Sequence, residues 1–199
     1  MVNLVDQLSF RMNEVLPDEE SIFPEADIIF STFWDRFGAY LLDGVIIVAV
    51  TLPLTYFNIR IWKIPSLFVL ISLFTVLYKP YLEYRYGATW GKMMVGLQVV
   101  GHDFGKITLK EEMRRVSFYL VPSMLQHILT LVVYYSAAFQ SINNYREFNK
   151  YLVAVNPSIL WINGIVFVLL FADTISFFVN SPNRSLHDMY AGTYVIENH

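Results

Sequence analysis

The chain has 199 residues and a formal net charge of −3, with 55% of its residues hydrophobic and only 16% charged, against about 25% charged in a soluble domain. There is no cysteine, which excludes disulfides, thiolate catalysis and cysteine-ligated metals, and the lack of a basic block argues against nucleic acid as a partner. Four long apolar runs leave too little polar surface for a water-soluble helical core, so the composition is that of one all-α polytopic membrane protein.

Residues 1–32 form an acidic arm. Residues 1–35 hold eight acidic side chains and one basic, Arg11. The stretch "LVDQLSFRMNEVL" suits a short amphipathic helix, and Pro17 and Pro24 bracket the turn "PDEESIFP". The basic, apolar and small-residue succession of a signal peptide is absent. Candidate spans follow at about 36–57, 63–82, 118–139 and 157–179, each near the ~20 residues that cross ~30 Å of hydrocarbon. Trp62 and Tyr81 stand where interfacial aromatics belong.

Between the second and third spans lies a loop, residues 83–117. There "GLQVV", "GHDFG" and "KITL" read as two short strands about a glycine-bounded turn. Thr108 and Glu111 then make a capping box that starts the helix "KEEMRR" leading into the third span. The tail, 180–199, ends in "GTYVIE", a β-prone run suited to pairing with "LQVV" in a small cytoplasmic sheet.

Lysine and arginine divide ten to four between the two sides of such a bundle. By the positive-inside rule both termini and the 83–117 loop face the cytoplasm.

The polar residues inside these runs need partners. Arg36 and Asp43 are about two helical turns apart, some 10.5 Å of rise, on one face. Arginine can snorkel to the boundary, but Asp43 cannot, so it faces protein rather than lipid. The basic groups expected around it are Arg36, Lys92 and Arg184, with Glu83 and Asp188 in the same cluster at the cytoplasmic mouth. Asp173 lies in the fourth span, placed either to share a proton with Asp43 or to brace "NRSLHD" below it. Gln126 and His127, inside the third span, suit interhelical hydrogen bonds. Three uses stand open for the cluster: an ion-pair network locking helix ends, an ion- or proton-handling site, and a docking surface. No histidine spacing suggests a metal, "GATWGKMMVG" fails the phosphate-loop spacing, and no arrangement of nucleophile and base suggests an enzyme or a cofactor.

Three ordered blocks carry a resemblance. "FWDRFGAYLLDGVII" resembles the first-helix signature of the RDD family of membrane proteins, with Arg36 and Asp43 in place. "EYRYGATWGKMMVGLQVVGHDFGKITLKEEMRR" resembles its middle block, Thr89, Gly91 and Lys92 matching a Thr-x-Gly-Lys element in which Trp90 replaces the usual proline. "FADTISFFVNSPNRSLHDMYAGTYVI" resembles its close, with Asp188 as the second named aspartate beside Arg184, His187 and Thr193. The likeness runs over roughly 33–196, and neither the N-terminal arm nor "QSINNYREFNKYLVAVNP" has a counterpart in it.

The resemblance implies a multi-pass protein of the bacterial inner membrane, with the lipid bilayer and either a second copy or another membrane protein as partners. Some relatives are described as cation/proton antiporters and others stand beside complex-forming membrane proteins. The expected role is a structural or accessory component of a membrane complex; the alternative is a Na⁺ or K⁺/H⁺ antiporter or transporter subunit. Four helices without an internal repeat are few for alternating access, so a transport path needs further chains to complete it.

Overall fold

A computed structural model describes residues 28–179 and 184–198; the expected helix and turn of the acidic arm lie outside them. Four helices are long and apolar enough to cross a membrane. The first, α1 (Phe33–Phe57), begins at the capping box of Thr32 and Asp35 and runs into a π-helical turn, Asn58–Trp62. That turn ends on Lys63 in the left-handed region (φ 54°). The buried Asn58 amide fastens it, donating to Ile64 O at 3.0 Å and accepting from Ile64 N–H at 2.8 Å.

Helix α2 (Pro65–Tyr86) starts with proline at its first position, where the missing N–H costs nothing, and stops at Gly87 (φ 75°). A short helix, α3 (Trp90–Val95), and strand β1 (Leu97–Val100) occupy the loop. Helix α4 (Leu109–Tyr134) opens at the expected capping box of Thr108 and Glu111. The third span therefore starts nine residues before the predicted boundary, because "KEEMRR" and the apolar run form one unbroken helix. A 3₁₀ turn (Ala137–Ser141) and the amphipathic helix α5 (Tyr145–Val155) lead to α6 (Ser158–Val179), and the chain closes with α7 (Leu186–Ala191) and β2 (Tyr194–Glu197).

Strands β1 and β2 pair antiparallel, Val99 opposite Val195, as expected for the tail. The second strand expected at "KITL" shrinks to one bridge, Val100 with Lys106. The end of the arm joins the edge of this two-stranded sheet. Phe30 bridges Ile196, and Ser31 N–H donates to Val195 O at 3.1 Å. The two described ends of the chain thus lie side by side.

Packing is concentrated at the ends of the bundle. At the sheet end Ala39, Leu97, Val99, Ile107 and Val195 form one buried cluster. At the opposite end Ile59, Phe68, Val133, Tyr134, Phe139, Phe148 and Ile159 form another. Between them the helices are lightly covered: at most 17% of the most apolar window of any span is buried. Val45, Val48, Leu70, Leu77, Ile128, Phe167 and Phe171 all point outward. Such faces suit hydrocarbon, where apolar side chains gain nothing by leaving lipid for protein. The buried apolar contacts of the chain are gathered in the end clusters.

Candidate charged site at the sheet end

Asp43 looks inward from α1, as its short side chain requires. Its partners are neutral, which corrects the expectation of a basic one. Tyr78 Oη of α2 donates to Oδ1 at 2.7 Å, Thr89 Oγ1 to Oδ2 at 2.6 Å, and Gly91 N–H to Oδ1 at 2.7 Å. Thr89 is the N-cap of α3 and Gly91 lies in its first turn, so the carboxylate meets the positive end of a short helix. Gly91 is required by space: a Cβ there would overlap Ala39 O and stand 2.8 Å from the Asp43 carboxyl carbon.

Asp173 does the same for the other short helix. It accepts from the His187 backbone N–H at 3.1 Å, in the first turn of α7, and lies 2.8 Å from His187 Nδ1. Of the two uses foreseen for Asp173, bracing "NRSLHD" is the one realised; it is held by His187 and not paired with Asp43. Two aspartates of long apolar helices each anchor a short helix of the cap, the sheet-end unit made of α3, β1, α7 and β2.

The remaining charges form a ladder. Lys92 Nζ meets Glu83 Oε1 at 2.6 Å; Arg115 Nη1 meets Glu83 Oε2 at 3.1 Å and its Nη2 meets Asp188 Oδ1 at 3.0 Å; Arg36 Nη1 pairs with Asp188 Oδ2. Three cations alternate with two carboxylates and tie α3, α2, α4, α7 and α1 together. Arg36 also donates to Ser31 Oγ at 2.7 Å and stands 4.9 Å over the Phe177 ring. Glu83 and Asp188 are wholly buried and Arg115 is 1% exposed. Arg184 stays off the ladder: it donates to Asp188 backbone O at 3.2 Å and its guanidinium stacks 4.3 Å over Tyr194.

Arg115 and Glu112, in the charged stretch that leads into the third span, belong to this interior. They share a helical face with buried Val116, and that spacing is the signal that places them. Neither oxygen of the fully buried Glu112 has a hydrogen-bond partner among the described residues, although Glu83, Arg115, Lys79 and Lys92 are all within electrostatic reach. His127 bonds within its own helix, to Ser123 O at 2.7 Å, rather than across helices.

Burial, and then repulsion from Arg115, push Lys92 down to about 8, against the pull of Glu83. Burial works against ionisation of Asp188, yet Arg115, His187 and Arg36 hold its carboxyl well below the usual range. Burial also lowers His187, which faces Asp173, Asp188, Arg115 and Lys79.

A histidine with a lowered folded value binds fewer protons when folded than unfolded, so its contribution is lost as pH falls through the unfolded value near 6.5. The melting temperature in detergent should therefore drop between pH 7.5 and 5.5, and His187→Gln should flatten that slope. An equal slope in both proteins would show that His187 takes up no proton on unfolding.

Among the described residues no cluster of histidine, aspartate or glutamate is arranged to hold a metal ion. Ser185 Oγ is 3.0 Å from His187 Nδ1, the nitrogen that also faces Asp173, and it donates to Asp188 at 2.9 Å. Asp173 stands at Nδ1 and Asp188 Oδ1 lies 3.4 Å from Nε2, while the serine hydroxyl is turned into the ladder.

No curated protein and no solved structure matches the chain significantly. The RDD family does match, over residues 30–192, a range that takes in Arg36, Asp43, both short helices and Asp188. The chain belongs to the RDD family.

Proposed function

We propose that this protein is a multi-pass component of the bacterial inner membrane, with both ends cytoplasmic, acting as a structural or accessory subunit of a membrane complex and not as an enzyme. One observation carries the reading: Asp43 and Asp173 are both engaged in fastening the cap to the spans, and the ladder from Lys92 to Arg36 crosslinks five elements of the same chain. Groups so engaged fit a rigid platform. The excess of lysine and arginine at the sheet end supports its cytoplasmic placement. A second copy of the chain, or another membrane protein, is the expected partner. Extraction from native membranes in mild detergent should give a particle larger than the 23.2 kDa monomer with a second copy or a companion in fixed ratio. A monodisperse monomer with no companion overturns the proposal.

Glu112 favours a second reading, Na⁺ or K⁺ exchange for H⁺. It is a wholly buried carboxylate that no donor among the described residues claims, and ionisable groups inside membrane proteins often mark ion paths. In proteoliposomes that reading requires cation-driven proton flux above empty vesicles, abolished by Glu112→Gln with the fold intact. Flux equal to empty vesicles ends it.

A further inference from the structure

The end of the molecule away from the ladder carries charge that the cap does not use. Helix α5 is amphipathic. Phe148 and Leu152, one turn apart, are buried in the end cluster with Ile59, Phe68, Tyr134 and Ile159. Those four lie at the ends of the four spans facing that side, so α5 rests across the span ends.

Its flank holds Arg146 and Lys150, four residues apart and therefore on one face. With Tyr145, Asn149 and Val153 they line a shallow, open groove along this one helix face. Neither cation forms an ion pair among the described residues. The nearby Glu147 is turned to the helix start, where it accepts from Asn143 N–H at 3.2 Å. The other basic groups of this end are engaged: Lys63 donates to Phe139 O and Ile142 O, and Arg60 to Tyr56 Oη at 2.7 Å. Exposed Trp62 and Trp161 flank the same level, as aromatics of a membrane interface do.

We propose that this groove binds an anionic phospholipid of the leaflet opposite the charged ladder, with Arg146 and Lys150 holding the headgroup phosphate, Asn149 donating between them, and Tyr145 and Val153 bordering the glycerol and first acyl carbons. The site rests on the membrane reading proposed above. Lipid is the occupant because the lining sets two cations and an amide beside Tyr145 and Val153, and because on the membrane reading the span ends that α5 crosses stand at the headgroups.

The full chain in detergent is titrated with phosphatidylglycerol and, separately, phosphatidylcholine, and bound lipid is read by native mass spectrometry. Phosphatidylglycerol should bind at least tenfold tighter. The double variant R146Q/K150Q should lose about fivefold per cation removed, and Asn149→Glu, which keeps both cations, should weaken binding comparably. All these side chains are exposed, so unliganded melting temperatures stay at the wild-type value; Arg60→Gln serves as the neutral control. Equal binding of the two lipids, or unchanged affinity in R146Q/K150Q, overturns the site while leaving the membrane reading standing. Displacement of phosphatidylglycerol by millimolar inorganic phosphate also overturns it, showing a site for free anions. A chain that stays soluble and monodisperse without detergent overturns the membrane reading itself.

Discussion

Replacing Arg115 with methionine should lower the unfolding free energy in detergent by about 3–5 kcal/mol, the cost of breaking a buried ion pair by removing one member. Methionine keeps much of the aliphatic volume and deletes the guanidinium that joins Glu83 to Asp188. The two carboxylates, both wholly buried, then retain one cation each, Lys92 and Arg36, and the ladder parts at its centre. Lysine at 115 should recover only part of the loss, since one ammonium cannot hold two carboxylates in the forked geometry of arginine.

The informative contrast is Glu112→Gln. Glu112 is as buried as Glu83 but no donor among the described residues binds it, so its removal deletes no described hydrogen bond; relief of its burial and of repulsion from Glu83 offsets the lost attraction of Arg115, Lys79 and Lys92, and stability should hold. A simple count of buried charges predicts similar losses for the two substitutions. A loss for Arg115→Met under 1 kcal/mol, measured by thermal or denaturant unfolding, would mean that the ladder does not hold the cap.

The inward direction of Asp43 was legible in the sequence because an aspartate cannot reach the membrane boundary from two turns inside an apolar helix. Its partners were not. Charge was expected to meet charge, and the donors are two hydroxyls and a backbone N–H. Lys92 is one residue from Gly91, and the 100° turn between neighbours in a helix sends the glycine toward α1 and the lysine toward Glu83.

Arg115 was hidden for a related reason. Five charges in "KEEMRR" look like a solvated helix start, and only the shared face with Val116 shows that two of them turn inward. The helix α5 carried readable signals, Asn144 as N-cap with Glu147 three residues on and Phe148 with Leu152. Its eleven residues are too few to cross a membrane, so by length it reads as part of the connection between the third and fourth spans. The β1–β2 pairing was readable because both runs are β-prone. The contribution of residues 29–31 was not, since three extended residues leave no periodicity to detect.

Gly91→Ala should cost about 2–4 kcal/mol, an overpacking penalty together with a lost hydrogen bond to a carboxylate. The added methyl would overlap Ala39 O and crowd the Asp43 carboxyl group. Both obstacles belong to α1, one of them is backbone, and Ala39 is 1% exposed. The methyl therefore cannot be accommodated by a side-chain rotation. Helix α3 must lift from α1, and the 2.7 Å bond from Gly91 N–H to Asp43 goes with it.

Asp43→Asn, which leaves the space unchanged and keeps one acceptor for Tyr78 and Gly91, should cost less. The double variant G91A/D43N should fall well short of the sum, because both changes act on one contact. Strict additivity would mean that steric displacement and carboxylate capping are separate effects. An unaltered melting temperature for Gly91→Ala would mean that α1 and α3 stand farther apart than described, and the inward orientation of Asp43 would lose the close backbone approach that explains it.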